Sequence, residues 1–268
     1  MTARPKPLPP MPSAAWALFL DLDGTLLDIA QHPDLVQVPG GLVAVLQTIE
    51  EALDGAVAIV SGRPLQRLDE LLKPWRPAAA GEHGAFCRLP SGDVVSPANL
   101  PAIPEEWRHR LTELLVEHKG VVIEKKQAAI AVHYRLAERA ESTVQHAVRD
   151  LVVERADDFV VTPGHMVFEI RPRGADKGWA VGRLMRGAPF KGRVPVFIGD
   201  DVTDEDGIRT AESLGGQGLN VDRYFKGDAG TVRDWLSGLP GRVQAQSAAS
   251  WRKKFLEELA GAGAHGSV

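Results

Sequence analysis

Trp16-Ala17-Leu18-Phe19-Leu20-Asp21-Leu22-Asp23-Gly24-Thr25 is the stretch that decides the fold. Five apolar residues in a row are too few for a helix and match a buried strand. The run ends on two acids one residue apart, followed by a glycine. Alternate residues of a strand point the same way, so Asp21 and Asp23 share a face or diverge only slightly at the strand's end. Carboxylates this close repel unless a cation or a shared proton compensates, and a buried strand that ends in two of them is costly without a purpose.

Outward from this strand the pattern alternates. Pro39-Gly40-Gly41 opens a helical stretch, Leu42 to Leu53, with apolar residues at 42, 45, 46, 49 and 53. Gly55 closes it, and Ala56 to Val60 is a second buried strand. Ser61-Gly62-Arg63-Pro64 then turns into another helix through Leu72. Strand, helix, strand, helix predicts parallel pairing in a doubly wound sheet, in which ligands bind at the carboxyl ends of the strands. The pattern resumes with a helix after Gly178, a strand Val194–Ile198, a helix after Glu205 and a strand near Gly218–Val221.

The middle of the chain reads differently. A helix from about Pro104 to His118 precedes strand-like runs Val121–Glu124 and Ala129–Tyr134. A helix Glu138–Val153 follows, then Phe159–Thr162, a Pro163-Gly164 turn and Met166–Arg171. That order predicts a small antiparallel sheet with helices on one face. The expected class is therefore α/β: a doubly wound, mostly parallel core over 13–100 and 172–245, interrupted by an α+β domain over 101–171. Residues 1–12, with five prolines, read as a mobile tail, and 246–268 as a terminal amphipathic helix and tail.

Composition narrows the function. The chain has 268 residues, 25% of them charged and 44% apolar, enough to bury a core without staples. A net charge of −4 gives no electrostatic case for nucleic acid or an anionic membrane. Cys87 is the single cysteine, which excludes an internal disulfide and a Cys-cluster zinc site and reads as a small core residue. The apolar run from Ala14 to Leu20 is too short to span a bilayer and has no cleavage pattern behind it, so the expected location is the cytoplasm.

Three further constellations carry chemistry. Gly199-Asp200-Asp201-Val202-Thr203-Asp204-Glu205-Asp206 follows the strand Val196-Phe197-Ile198, so a second cluster of acids sits at a strand's carboxyl end and calls for a hard cation. It is not a calcium loop, because Val202 occupies a position where that loop needs an acid. Glu205 and Asp206 serve the start of the next helix. Ser61-Gly62-Arg63, between a strand and a helix, offers a hydroxyl and free N–H groups to a phosphate. Lys177-Gly178 puts a cation at a helix start, against the dipole, and so wants an anionic partner.

Taken in chain order, these sets resemble the haloacid dehalogenase superfamily of phosphohydrolases, in the branch with an α/β cap inserted between the Ser and Lys motifs. The closer resemblance is to the trehalose-6-phosphate phosphatase family. It is carried by Leu20–Leu27, Val60–Arg63, Gly81-Glu82-His83-Gly84-Ala85, Ala131-Val132-His133-Tyr134-Arg135, Glu169-Ile170-Arg171-Pro172 with Lys177-Gly178, and Gly199–Glu205. The resemblance implies a magnesium-dependent hydrolase of trehalose 6-phosphate in trehalose biosynthesis. Asp21 would be the nucleophile that forms an aspartyl-phosphate, and Asp23 the acid and then the base. Magnesium would be held by Asp21, Asp23 (through its backbone carbonyl) and Asp200, with Asp201 and Asp204 as supporting acids. Ser61, Gly62 and Lys177 would bind the phosphoryl group. Glu82, His83, Lys126, Arg135 and Glu169 would touch the sugar, with His133 and His165 as further candidates. The implied partner is a small sugar phosphate, with no nucleic acid or membrane, on a monomer or weak oligomer. Two other readings stay open: a phosphatase for another sugar or glycerate phosphate, and a phospho-accepting regulatory domain.

Overall fold

The computed structural model describes residues 8–30 and 35–245. Most of the expected N-terminal tail, residues 1–7, and the terminal helix and tail expected over 246–268 lie outside the described residues. The decisive stretch forms strand β1 (Trp16–Leu20), buried at every position. It leads through α1 (Leu42–Ala52) to β2 (Val57–Val60), and through α2 (Leu65–Leu71) to β3 (Ala78–Gly81). Leu42, Leu46 and Ile49 form the buried stripe of α1, at the spacing its sequence carries. Two short strands, β4 (Phe86–Arg88) and β5 (Val94–Val95), extend the sheet in antiparallel fashion.

The chain then leaves this sheet for α3 (Glu105–Leu114), β6 (Val122–Lys125), β7 (Ile130–His133), α4 (Glu141–Val153), β8 (Phe159–Gly164) and β9 (Val167–Pro172). It returns through α5 (Lys177–Leu184), β10 (Val194–Gly199), α6 (Glu205–Ser213), β11 (Gln217–Asn220), α7 (Val221–Tyr224) and α8 (Ala229–Ser237). The larger sheet runs β11-β10-β1-β2-β3-β4-β5, parallel from β11 through β3. The smaller sheet runs β6-β7-β9-β8, with antiparallel pairing throughout. The fold is α/β, with a mostly parallel sheet interrupted by a segment that builds a second sheet. No helix among the described residues is long and apolar enough to cross a membrane.

The register of the central pair places the chemistry. Leu20 of β1 lies opposite Ile198 of β10, and Asp21 N–H donates to the Ile198 carbonyl at 2.9 Å. Each strand delivers an acid just past its end, Asp21 and Asp200, on the same edge of the sheet. In the smaller sheet alternation does the sorting. Ile130, Val132, Phe168 and Ile170 join Trp107, Leu111, Val144 and Leu151 in a separate apolar core beneath α3 and α4. Ala131, His133, Val167 and Glu169 face the opposite way, toward a cavity.

Two details depart from the sequence reading. β3 is three alanines and a glycine, without the β-branched residues that signal a strand; its four residues are all buried between β2 and β4. The expected Pro163-Gly164 turn lies inside β8, with Pro163 opposite Phe168 and Gly164 opposite Val167, and the chain reverses at His165-Met166, where Met166 has φ 60°. β8 is an edge strand, where a residue without an N–H costs the ladder nothing.

Candidate active site

A cavity of about 860 Å³ opens between the carboxyl edge of the parallel sheet and the free face of the smaller sheet. On its floor, Lys177 at the head of α5 donates to Asp21 Oδ1 at 2.7 Å and to Asp204 Oδ1 at 2.6 Å. All three side chains are buried. The anionic partner that the lysine's position demanded is thus a pair of acids. Burial disfavours the Lys177 charge, but Asp204 and Asp21 outweigh it and raise the ammonium's pKa above its ordinary value. Burial, with Asp204 next, pushes the Asp21 carboxyl well above the usual carboxylate range. Burial and Asp204 also lift Asp200 to about 6, against the pull of Lys177 and the Thr25 hydroxyl. That hydroxyl donates to Asp200 Oδ1 at 3.1 Å.

Carboxylate oxygens of Asp21, Asp200 and Asp204 lie within 4.8 Å of one another. The donor set is all oxygen, which suits a hard divalent cation and not a soft one. Asp204 has both oxygens committed: Oδ1 to Lys177, and Oδ2 to the N–H groups of Asp200 and Asp201, each at 3.0 Å. Asp21 Oδ2 and Asp200 Oδ2 remain for an ion, and a positive charge between them would favour both carboxylates against the burial and the Asp204 charge that raise their pKa values. The residues fit such a cation. Asp23, expected in the metal set, turns its carboxylate to Arg63, which binds it two-pronged at 2.7 and 2.8 Å. Only its backbone carbonyl is left for an ion. Asp201 caps the short turn Val202–Asp204, accepting from Val202 N–H in a capping box with Asp204.

Gly24 is the one residue type the floor admits at its position. Its φ is +82°, and a methyl group there would stand 2.1 Å from Asp200 Oδ2. The turn after β2 supplies Ser61 and Gly62. Both line the cavity, and the Ser61 hydroxyl accepts from Arg63 N–H at 3.2 Å.

The roof is the polar face of β6, β7 and β9. Lys126 donates to Glu169 Oε1 at 2.8 Å and to the Gly62 carbonyl at 3.0 Å. His83 Nε2 lies 2.7 Å from Glu169 Oε2. Burial would raise the Glu169 carboxyl, but Lys126 and then His83 hold it well below the carboxylate range. Burial also keeps the His83 imidazole below its ordinary pKa, so Lys126 is the counter-ion and neutral His83 a donor. Arg135 lines the cavity and donates to the carbonyls of Ala30 and His165, the latter at 3.1 Å.

Among the expected sugar contacts, Lys126, His83, Arg135 and Glu169 line the cavity, as do His133 and His165. Glu82 does not. Its carboxylate is buried and accepts from the N–H groups of Gln127 and Ala128 at 3.0 and 2.7 Å, pinning the β6–β7 turn. Arg171, two residues beyond Glu169 on β9, is also outside the lining, bonded to Thr162 Oγ1 at 2.9 Å and to the Ala175 carbonyl. Sequence reasoning gave no role to Arg63 or Glu124. Glu124 sits in the lining, paired with His133 at 2.9 Å. Its position two residues before Lys126, on a strand, was the available signal.

A family model described as trehalose-phosphatase matches residues 19–233. Trehalose-6-phosphate phosphatase of Escherichia coli (strain K12) is 39% identical over 230 residues, spanning 85% of this chain and 84% of that protein. A probable trehalose-phosphate phosphatase of Sinorhizobium fredii (strain NBRC 101917 / NGR234) is 42% identical over 206 residues, 77% of each. Among solved structures, the C. albicans trehalose-6-phosphate phosphatase C-terminal domain has a TM-score of 0.69 at 21% identity, over 84% of this chain and 92% of that one, which speaks for the fold. The matched span takes in both ends of the parallel sheet and the whole segment inserted between them, and on that breadth and these identities the chain belongs to the trehalose-phosphatase family.

Proposed function

We propose that this chain hydrolyses trehalose 6-phosphate to trehalose and phosphate, with magnesium as cofactor and Asp21 as nucleophile. The observation that carries the reading is the buried Asp21 carboxylate, fixed by Lys177 at 2.7 Å on the floor of a cavity roofed by polar side chains. In the first step an Asp21 oxygen attacks phosphorus and the bond to the sugar oxygen breaks, with Asp23 giving that oxygen its proton. In the second, Asp23 takes a proton from water, whose oxygen displaces Asp21 and releases phosphate. To hold a proton at the start, Asp23 must give up at least one bond to Arg63, and the phosphoryl group is the competing anion for that guanidinium. Ser61, Gly62 and Lys177 bind the phosphoryl oxygens. Asp21, Asp200 and the Asp23 carbonyl would hold magnesium, which neutralises charge on those oxygens when bound. Asp204 and Asp201 brace that set.

In this reading residues 101–171 are a cap over a core of 13–100 and 172–245, and Lys126, Glu169 and Arg135 form the sugar end, with His83 bonded behind Glu169. The phosphoryl contacts are common to any phosphate ester, so discrimination comes from the roof, and a site built to bond a sugar's hydroxyls rejects analogues that lack them. The reading includes a cytoplasmic protein without nucleic-acid or membrane partners. A panel of trehalose 6-phosphate, glucose 6-phosphate and a phosphoglycerate, with magnesium and with EDTA, tests it. The expected result is magnesium-dependent release of phosphate, faster from the disaccharide by orders of magnitude. Equal rates across the panel would refute the substrate, and full activity in EDTA would refute the cofactor. Asp21→Asn with a sizeable fraction of the wild-type rate would refute the nucleophile.

A further inference from the structure

One short turn joins the two sides of the cavity. Glu82 and His83 have φ of 48° and 56°, in the left-handed region that residues with a side chain disfavour. Two successive residues in that state are strained and persist only where the surroundings hold them. Here the Glu82 N–H donates to the Arg63 carbonyl and the His83 N–H to the Ser61 carbonyl, both at 3.0 Å. The His83 ring packs against the chain at Gly62, where a methyl group would stand 2.5 Å from Nε2. The same nitrogen reaches Glu169 at 2.7 Å on the opposite sheet. The strained backbone thus wedges one imidazole between the Ser61-Gly62 turn and a roof carboxylate.

We propose that His83 is a positioning residue that ties the phosphoryl-binding turn to Glu169, so that sugar contact and phosphoryl placement are set as one unit. The proposal rests on the reading of Glu169 as a sugar contact. The charged and titratable groups that face the ring are Glu169 from β9, Lys126 from the β6–β7 turn, Lys177 from α5 and Glu82 beside it in the chain. Lys126 already answers the Glu169 charge, so what the site takes from His83 is an N–H donor of fixed direction. A protonated ring would add a third cation beside Lys126 and Lys177. A side chain with a neutral N–H of similar reach, such as glutamine, can do the same work; alanine cannot.

The test compares His83→Ala, His83→Gln, Glu169→Ala and the double variant His83→Ala/Glu169→Ala in steady-state kinetics with trehalose 6-phosphate. A lost hydrogen bond to a charged group implies a KM raised about 10–100-fold in His83→Ala, with a smaller change in kcat. His83→Gln should recover most of that loss, and the double variant should be no worse than Glu169→Ala alone. Nitrogen NMR of the wild-type imidazole should find its proton on Nε2, with the signal displaced in Glu169→Ala. Losses that multiply in the double variant, no recovery by glutamine, or a His83 signal indifferent to Glu169→Ala would each overturn the tie. Kinetics indifferent to Glu169→Ala while the NMR signal moves would instead overturn the sugar reading on which the proposal rests.

Discussion

Gly24→Ala tests the floor of the site with the smallest change available. The added methyl would stand 2.1 Å from Asp200 Oδ2 and 2.5 Å from its Cγ. Ordinary contact begins near 3.4 Å, so the Asp200 carboxylate must retreat by about 1.3 Å or the backbone must open. Retreat takes it off the Thr25 hydroxyl, 3.1 Å away, and away from Asp21. A displacement of about 1 Å in a positioned catalytic group costs on the order of 10²-fold in rate. Alanine at φ +82° adds a conformational cost of about 1–2 kcal/mol. The expected outcome is kcat/KM for trehalose 6-phosphate lower by about 10²-fold or more, with a steeper magnesium requirement, in a protein that still folds and melts some degrees lower. Magnesium titrations of phosphate release, with thermal melts of both proteins, measure this. A variant within threefold of wild type at the same magnesium concentration would refute the assignment of Asp200 to the site.

Three further outcomes follow from the geometry. His83 has a folded-state pKa below its unfolded value near 6.5, and the Glu169 carboxyl lies far below its ordinary value. Both contributions are fully present above the unfolded pKa and decline as pH falls from about 6.5 toward the folded one, while the raised carboxyls of Asp21, Asp200 and Glu82 act in the opposite sense, so the His83 part is read as the difference between wild-type and variant urea profiles. His83→Gln should flatten the upper part of that decline, and an identical profile would remove His83 from it. Glu82→Ala leaves the buried N–H groups of Gln127 and Ala128 without their acceptor and should cost about 2–4 kcal/mol in urea unfolding; a loss under about 0.5 kcal/mol would mean they find other partners. Asp23→Asn should lose far more rate with the disaccharide phosphate than with an aryl phosphate, whose leaving group needs no proton; equal losses would argue against the acid role.

The parallel sheet was legible because its signals are local: an apolar run such as Trp16–Leu20 and helical spacing such as 42, 46, 49. The inserted sheet was legible because alternation at Ile130–His133 and Val167–Glu169 separates an apolar from a polar face. β3 was not, since Ala78–Gly81 is chosen for small size inside the sheet, and size carries no period. Pro163-Gly164 misled because proline also suits an edge strand, and edges are set by sheet order, which a sequence does not display. The sequence expected Asp21, Asp23 and Asp200 around an ion with Asp204 in support, whereas the carboxylates that stand together are those of Asp21, Asp200 and Asp204, because the partners of Asp23 and Glu82 depend on which side chain lies nearest in space. Arg63 and Asp23 are 40 positions apart, and His83 and Glu169 are 86 apart. No spacing rule reaches that far.

The register of β1 against β10 has a consequence for how such a chain can change over generations. The distance between Asp21 and Asp200 is encoded in the ladder that sets Leu20 beside Ile198, and a strand alternates faces with every residue. A single-residue deletion within either strand would swing its acid to the other side of the sheet, however well the apolar count was preserved. The segment between β5 and α5 touches none of those rungs. It can lengthen, shorten or trade its polar face for another while the two acids keep their spacing. The polar face that β7 and β9 turn to the cavity can therefore vary apart from that spacing, except where His83 and Gly62 bond to it through Glu169 and Lys126.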